Sequence, residues 1–132
     1  MHRIAQFLAE KEEVLTKRQL NSLETVLDNL FAKLNIDIEF TRHFLDRVND
    51  TRNKTPITFR ELAKLFTDVY KKHGLKISQL PSEAEGVLTD MSTAINTPFI
   101  IVHNKRTKML ELINKTVMRK PNFTTKNKRY PV

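Results

Sequence analysis

A histidine and an arginine lie four residues apart in the stretch TRHFLDRVND. On a helix, His43 and Arg47 would share one exposed face, with Asp50 one turn further on. An imidazole can transfer the proton of a 2′-hydroxyl or of a leaving oxygen near neutral pH, and a guanidinium can stabilise charge that develops on a phosphate. The pair therefore suits phosphodiester chemistry. The alternative is a surface histidine beside an ordinary Arg–Asp ion pair.

Other kinds of catalytic site find no support in the sequence. The chain has no cysteine, and its four histidines show no paired spacing typical of metal ligands, so we expect no metal site. Neither of its two glycines belongs to a phosphate-binding loop, so we expect no nucleotide cofactor. No stretch approaches the length of a transmembrane helix, and we expect no membrane partner.

The net charge of +8 is confined to one end of the chain. Residues 1–103 contain 14 basic and 14 acidic residues, whereas residues 104–132 contain nine basic residues and the single acid Glu111. Clustered cations gain affinity for polyanions by releasing counterions, so the pattern predicts a nucleic-acid partner. The residues expected to contact nucleic acid are Lys105, Arg106, Lys108, Lys120, Lys126, Lys128 and Arg129. The alternative for the last dozen residues is a solvated tail that only aids solubility.

Three capping boxes and one capping threonine mark the predicted helices. These helices cover residues 17–35, a short segment after Thr41, residues 59–73 up to a stop at Gly74, and residues 82–94 after the capping box at Ser82 and Glu85. Their apolar residues recur at three- and four-residue spacing most clearly in the first and third. These two long amphipathic helices must supply much of the core.

The remaining periodic segments read as strands. Residues 36–41 alternate apolar and polar side chains, and residues 98–102 and 109–118 form a predicted hairpin around a turn at 104–107. We therefore expect an α+β domain in which N-terminal helices pack on one face of a small antiparallel sheet that ends in a β-hairpin. The expected organisation is a leader and linker over residues 1–15, a single domain over 16–120 and a basic extended tail over 121–132.

The order of these motifs resembles a known group of small nucleases. TRHFLDRVNDTR after a strand, a capped helix and the closing LELINKTVMRK are similar to the HxxxR helix and final strands of the RelE/colicin-type ribonucleases and toxins, over roughly residues 36–120. The resemblance implies a metal-independent endoribonuclease toxin acting on RNA, with a catalytic site formed by His43, Arg47, Lys115 and Arg119, next to Thr116. The helix at 17–35 is additional to the family pattern, and a version that only binds nucleic acid is the alternative.

The first ten residues, MHRIAQFLAE, resemble the capsid-targeting leader of internal head proteins of T-even-type phages. Such leaders end in a Leu/Ile-x-Glu site that the prohead protease cuts, and Leu8 and Glu10 match that site here. The resemblance implies contacts with phage capsid proteins, a place in the virion interior beside DNA, and later delivery to the host cytoplasm. The alternative is an ordinary N-terminal helix that packs Ile4, Phe7 and Leu8 onto the domain.

Two functions from different classes follow from these patterns. One is a phage internal head protein that is packaged with DNA through a basic, nucleic-acid-associated domain with a ribonuclease-like fold. The other is a metal-independent ribonuclease toxin. Enzymatic activity and oligomeric state stay open at this point, because the leucines between residues 20 and 34 suit either a core or a dimer seam.

Overall fold

A computed structural model describes residues 15–132 of the chain. In it, two long helices pack on one face of a six-stranded sheet, so the predicted α+β class is confirmed. The candidate processing residues Leu8 and Glu10 lie outside the described residues. Within residues 15–132, no helix combines the length and apolar character needed to cross a bilayer.

The helices and strands follow one another along the chain with short connections. In order, they are α1 Lys17–Phe31, β1 Ile36–Phe40, α2 Phe44–Val48, α3 Phe59–Ser78, β2 Glu85–Asp90, β3 Ile95–His103, β4 Leu110–Asn114, β5 Met118–Arg119 and β6 Lys128–Pro131. Single turns of 3-10 helix follow α1 at Ala32–Leu34 and α2 at Thr51–Asn53.

The sheet is mixed rather than purely antiparallel. Its strand order is β1-β4-β3-β2-β6, and β5 pairs with β3 beyond the end of β4. Strands β3 and β4 form the predicted antiparallel hairpin, and β2, which the sequence predicts as a helix, also pairs antiparallel to β3. In contrast, β1 pairs parallel to β4 and β6 pairs parallel to β2. Both parallel pairs join segments that are distant in sequence, so no local sequence pattern predicts these pairings.

The two long helices begin as their capping boxes predict. The Thr16 hydroxyl accepts the backbone N–H of Gln19, and the Gln19 side chain accepts the backbone N–H of Thr16. Thr58 and Glu61 form the same two hydrogen bonds at the start of α3. Each helix then buries one apolar stripe against the sheet and against the other helix, which removes apolar surface from water. The buried helix residues are Leu20, Leu23, Leu27, Phe31, Leu62, Leu65, Phe66, Val69 and Ile77.

The predicted stop of the second long helix at Gly74 is wrong, because α3 continues to Ser78. Gly74 is buried, and a Cβ atom at this position would lie 2.6 Å from Leu34 Cδ1. The glycine therefore allows the end of α1 to pack closely against α3 instead of ending the helix.

The helix predicted over residues 82–94 is also wrong, because Glu85–Asp90 is the strand β2. Its residues from Gly86 to Asp90 are all buried between β3 and β6. A Cβ atom at Gly86 would come within 2.9 Å of the rings of Phe99 and Tyr130, so this glycine serves close packing across the strands. Pairing on both sides outweighs the local capping signal at Ser82 and Glu85.

The C-terminal segment, which the sequence predicts to be an extended tail, contributes its last part to the sheet. Residues 128–131 form β6, and Tyr130 is 3% exposed, with its ring against those of Phe99 and His73. The His73 Nε2 atom lies 2.7 Å from the Pro131 carbonyl oxygen. The segment is therefore held by both core packing and polar contacts.

Candidate functional site

A cleft lies where β1 and β4 end, beside the short helix α2. It has a volume of about 960 Å³. Its wall comes from α2, the following 3-10 turn and the segment that links β4 to β5. The lining residues are His43, Arg47, Asp50, Arg52, Asn53, Lys54, Thr55, Lys115, Thr116, Val117, Met118, Arg119, Lys120 and Pro121. We refer to this set as the basic cleft.

The four residues proposed from the sequence as catalytic, His43, Arg47, Lys115 and Arg119, all line the basic cleft. Backbone and side-chain bonds fix the two segments that carry them. The Thr41 N–H donates to the Asn114 carbonyl at 3.1 Å, and the Thr41 hydroxyl donates to the Lys115 carbonyl at 2.8 Å. These bonds hold the entry to α2 against the end of β4. Thr41 thus joins the segments instead of capping α2.

Helix α2 presents its polar face to the cleft because its other face is anchored in the core. Phe44 and Val48 are almost completely buried, and the Phe44 ring lies 4.6 Å from that of Phe40. His43 is the N-cap residue of α2 but makes no side-chain capping bond, and its exposed ring has no hydrogen-bond partner among residues 15–132. His43 and Arg47 are thus one helical turn apart and both line the cleft, and the imidazole has no hydrogen-bond partner among the described residues.

Asp50 is the single acid among the lining residues and forms ion pairs with two arginines. Its carboxylate lies 3.6 Å from Arg47 and 2.8 Å from Arg52. Hydrogen bonds and charge from Arg52, with a smaller contribution from Arg47, lower the pKa of Asp50 to about 2. One carboxylate cannot neutralise two guanidiniums, so this side of the cleft stays positive.

Lys54 and Lys120 add positive charge that no described residue neutralises. Both are exposed, and neither forms an ion pair within residues 15–132. Lys54 has φ 63° and ψ −60°, and the Thr55 N–H donates to the Asn53 carbonyl across it. This is a γ-turn of the rare, strained type, and such strain is concentrated at functional sites. Neither Lys54 nor Arg52 is among the predicted site residues, although Arg52 ends the motif TRHFLDRVNDTR, and the conformation of Lys54 is not one that local sequence predicts.

Arg119 lines the cleft, but all five of its donors are engaged. Its Nε–H donates to the Thr55 carbonyl, its Nη1 atom donates to Glu61 and to the Thr93 carbonyl, and its Nη2 atom donates to Glu61 and to the Pro56 carbonyl, at distances of 2.7 to 3.0 Å. A guanidinium has five N–H groups and no more. Arg119 is therefore a structural residue of the cleft wall and has no donor left for a phosphate.

The Arg119 partner Glu61 is held in its charged form. Burial alone would raise the pKa of Glu61, but hydrogen bonds from Arg119 and from the Thr58 backbone outweigh burial and keep the pKa below its ordinary value. The same carboxylate completes the capping box of α3. Arg119 thus ties β5 to the start of α3.

Asn53 supports the cleft floor from within. It is 5% exposed, and its Nδ2 atom donates to the carbonyls of Arg47 and Val48 at the end of α2. Its Oδ1 atom accepts the backbone N–H of Arg119 at 3.0 Å. The buried amide therefore joins α2 to β5 with its donors and its acceptor in use, and the two walls keep a fixed separation.

Lys115 is the remaining cation of the predicted set. It follows the end of β4, and its Nζ atom forms an ion pair with Glu85 on β2, with both side chains about two-fifths exposed. An exposed pair of this kind is weak and exchanges readily with solvent or with another anion. Lys115 is therefore available to a ligand in a way that Arg119 is not.

The other predicted nucleic-acid contacts lie outside the cleft, apart from Lys120. Lys105, Arg106 and Lys108 belong to the turn between β3 and β4, and Lys126 precedes β6. Lys128 lies 5.5 Å from the centre of the Tyr130 ring, and Arg129 lies 5.5 Å from that of Phe123. These last two cations pack on aromatic rings of their own segment.

A cluster of carboxylates lies elsewhere, on β1 and β4. Oxygens of Asp37, Glu39 and Glu111 lie within 4.8 Å of one another, close enough to share one hard divalent cation. Burial raises the pKa of Glu39 to about 7, with further increases from Asp37 and Glu24. No residue of the basic cleft belongs to this cluster.

Comparisons with family models, with curated proteins and with solved structures found no match for this chain. The resemblances to RelE/colicin-type ribonucleases and to phage head-protein leaders therefore stay predictions from the sequence.

Proposed function

We propose that this protein binds nucleic acid through its phosphate backbone in the basic cleft. The observation that carries the proposal is the lining of the cleft, where Arg47, Arg52, Lys54, Lys115 and Lys120 face a single acid. Phosphate contacts from such cations supply most of sequence-independent affinity. The strained backbone at Lys54 supports the same conclusion, since it holds a cation at the cleft without an ion-pair partner among the described residues.

The lining also indicates how the ligand is recognised. No aromatic side chain other than His43 lines the cleft, so the described wall offers little surface on which bases could stack. Recognition through charge and backbone shape, without base readout, follows from this composition. Packaging beside DNA in a phage particle agrees with such binding, but it rests on residues 1–10 and remains a separate prediction.

Neutralising two unpaired cations of the cleft tests the proposal. Lys54→Gln with Lys120→Gln should weaken binding of a labelled oligonucleotide and reduce the slope of log K against log[salt] by about 1.4 for a single strand or about 1.8 for a duplex. Fluorescence anisotropy across a salt series measures both quantities. The matched control is Lys71→Gln with Lys72→Gln on the exposed side of α3, which also removes two charges. Equal losses for both variants would contradict a localised site.

A second candidate function is cleavage of RNA, and the free ring of His43 favours it. The ring lies in the cleft one helical turn from Arg47 and has no competing hydrogen bond within residues 15–132. General acid–base catalysis by one imidazole contributes about 10² to 10⁴ in rate. Lys115, rather than Arg119, is the second cation that could approach the same phosphate.

His43→Ala tests this second candidate. If the chain cleaves RNA, we expect the variant to lose at least about 100-fold in cleavage rate of single-stranded RNA in chelator while its affinity for RNA changes little. Gel analysis of a labelled RNA and anisotropy with the same RNA give the two readouts. Intact RNA after hours with the wild-type protein would leave binding alone as the function of the cleft.

A further inference from the structure

Three cations lie at the opposite end of the sheet from the basic cleft. Lys105, Arg106 and Lys108, which we call the turn site, are exposed and form no ion pair with any residue of the described chain. The strand β4, Leu110–Asn114, lies between Lys108 and Lys115, and seven residue steps of fully extended chain would span at most about 23 Å. The turn site and the cleft are therefore two separate positive surfaces.

The turn site has a fixed backbone. Asn104 Oδ1 accepts the backbone N–H groups of Arg106 and Thr107 at 2.9 and 3.0 Å, and Asn35 Nδ2 donates to the Lys108 carbonyl at 2.8 Å. A recess of about 370 Å³ lies beside the turn. Cations on an ordered turn lose less conformational entropy on binding than cations on a flexible tail.

Acidic side chains occupy the sheet face between the two positive surfaces. Residues paired across neighbouring strands share a face, and Asp37 pairs with Glu111, while Glu39 and Glu85 lie at the two ends of one row across β1, β4, β3 and β2. This face is opposite the one that packs on α1 and α3, because the alternate residues Ile36, Ile38 and Leu112 are in the core. A polyanion that crossed from turn to cleft along this face would pass Asp37, Glu39 and Glu111, and then Glu85, which pairs with Lys115 at the cleft end.

A single duplex cannot avoid those carboxylates by bending. The persistence length of duplex DNA is about 50 nm, which far exceeds a separation of at most about 23 Å between the two positive surfaces. A stiff duplex that lies against one end of the sheet therefore does not turn back to reach the other end. Two different duplex segments can occupy the two ends at the same time.

We propose that one molecule bridges two segments of duplex nucleic acid, with one segment at the basic cleft and the other at the turn site. The first contact rests on the proposed function, and the turn site adds the second. The ligand at the turn is the phosphate backbone, which is contacted by Lys105, Arg106 and Lys108 without base readout. The consequence is that the protein draws duplexes together as well as coating them.

A capture experiment tests the bridge. Beads that carry one DNA duplex are mixed with the full-length protein at limiting concentration and with a second, fluorescent duplex, and the retained fluorescence is measured. Lys105→Gln, Arg106→Gln and Lys108→Gln together should reduce capture about tenfold or more, because the second contact is lost. Anisotropy with one duplex should change much less, since the cleft is intact. The matched control, Arg60→Gln with Lys71→Gln and Lys72→Gln, also removes one arginine and two lysines that are exposed and unpaired within residues 15–132.

The outcomes separate this inference from the proposed function. Binding of one duplex without capture of the second by the wild-type protein would overturn the bridge and leave the cleft proposal in place. Undiminished capture by the turn-site variant would also overturn it, because bridging would then come from self-association. An equal loss of capture by the control variant would assign the effect to net charge and overturn the turn site. If adding Lys54→Gln and Lys120→Gln to the turn-site variant leaves its binding of one duplex unchanged, the proposed function fails.

Discussion

Arg119 determines the shape of the basic cleft although it has no donor free for a ligand. Its side chain is 13% exposed, and it joins β5 to Glu61 on α3 and to three backbone carbonyls. Removing one partner of a largely buried, hydrogen-bonded ion pair leaves the other charge without compensation. We therefore assign Arg119 to stability and expect its geometry, rather than its charge alone, to matter.

Arg119→Lys tests that assignment because it keeps the positive charge and loses the planar fork. A lysine cannot make the paired bonds to Glu61 and also reach the carbonyls, so acceptors lose hydrogen bonds and we expect a loss of unfolding free energy of about 1 to 3 kcal/mol. Urea denaturation measures the loss. Arg52→Lys is the matched control, since Arg52 also pairs with a carboxylate but its side chain is 75% exposed. Similar, small effects for the two variants would contradict a structural role.

Some of the candidate site could be predicted from single residues and some could not. The pairing of His43 with Arg47 follows from helical spacing, and both residues line the cleft. That all five N–H donors of Arg119 are engaged could not be predicted, because its hydrogen-bond partners lie between 26 and 64 residues away in sequence. The position of Lys54 depends on a strained turn that tertiary contacts maintain, and no local preference selects such a conformation.

At the level of helices and strands, local signals succeeded where tertiary pairing agrees with them. Both capping boxes that begin α1 and α3 are present, and β1 and β3 lie where alternation and β-branched residues predict strands. The strand predicted over 109–118 is present as β4 but ends at Asn114. In each case the secondary structure favoured by the local sequence also buries the apolar residues of that segment. This agreement is why these helices and strands can be predicted from sequence.

The failures have one physical cause, which is contact between distant segments. Residues 85–90 carry a helix-capping signal on one side, yet as a strand they pair with β3 and with β6. The segment at 128–131 has no period of its own and becomes a strand because β2 offers an edge and a pocket for Tyr130. Gly74 looks like a helix stop until Leu34 is found against it. Propensity is a weak guide wherever packing decides.

Within residues 15–132, the clustered cations and the clustered carboxylates occupy different regions. Cations gather at the cleft and at the turn site, whereas five carboxylates gather around β1: Glu24, Asp28, Asp37, Glu39 and Glu111. Asp28 accepts the backbone N–H of Ile38 at 2.7 Å, so the cluster also covers the free edge of β1. Burial, with like charge from neighbouring acids, raises the pKa of Asp28 to about 7. The carboxylates are kept apart from the cations that would bind a polyanion, and they therefore repel one another.

This repulsion makes the stability of the fold depend on pH in a defined direction. Asp28 and Glu39 have folded-state pKa values of about 7, against about 4 in the unfolded chain, so the folded state holds more protons between these values. Stability should therefore rise as pH falls from 8 to 5, and we expect the melting temperature in chelator to increase by at least a few degrees. The lowered pKa values of Asp50, Glu61 and Asp90 do not oppose this change, because their stabilisation is lost only below about pH 4.

The contribution of the cluster can be isolated with one substitution. Glu39→Gln removes a carboxylate that repels its neighbours, so the difference in melting temperature between pH 5 and pH 8 should shrink, mainly through a higher melting temperature at pH 8. Glu83→Gln, at an exposed acid outside the cluster, should leave the difference as in the wild type. A melting temperature that is higher at pH 8 than at pH 5 would mean that the carboxylates around β1 are stabilised by cations rather than destabilised by one another. In that case, gathering the carboxylates around β1 would not lower the stability of the fold at neutral pH.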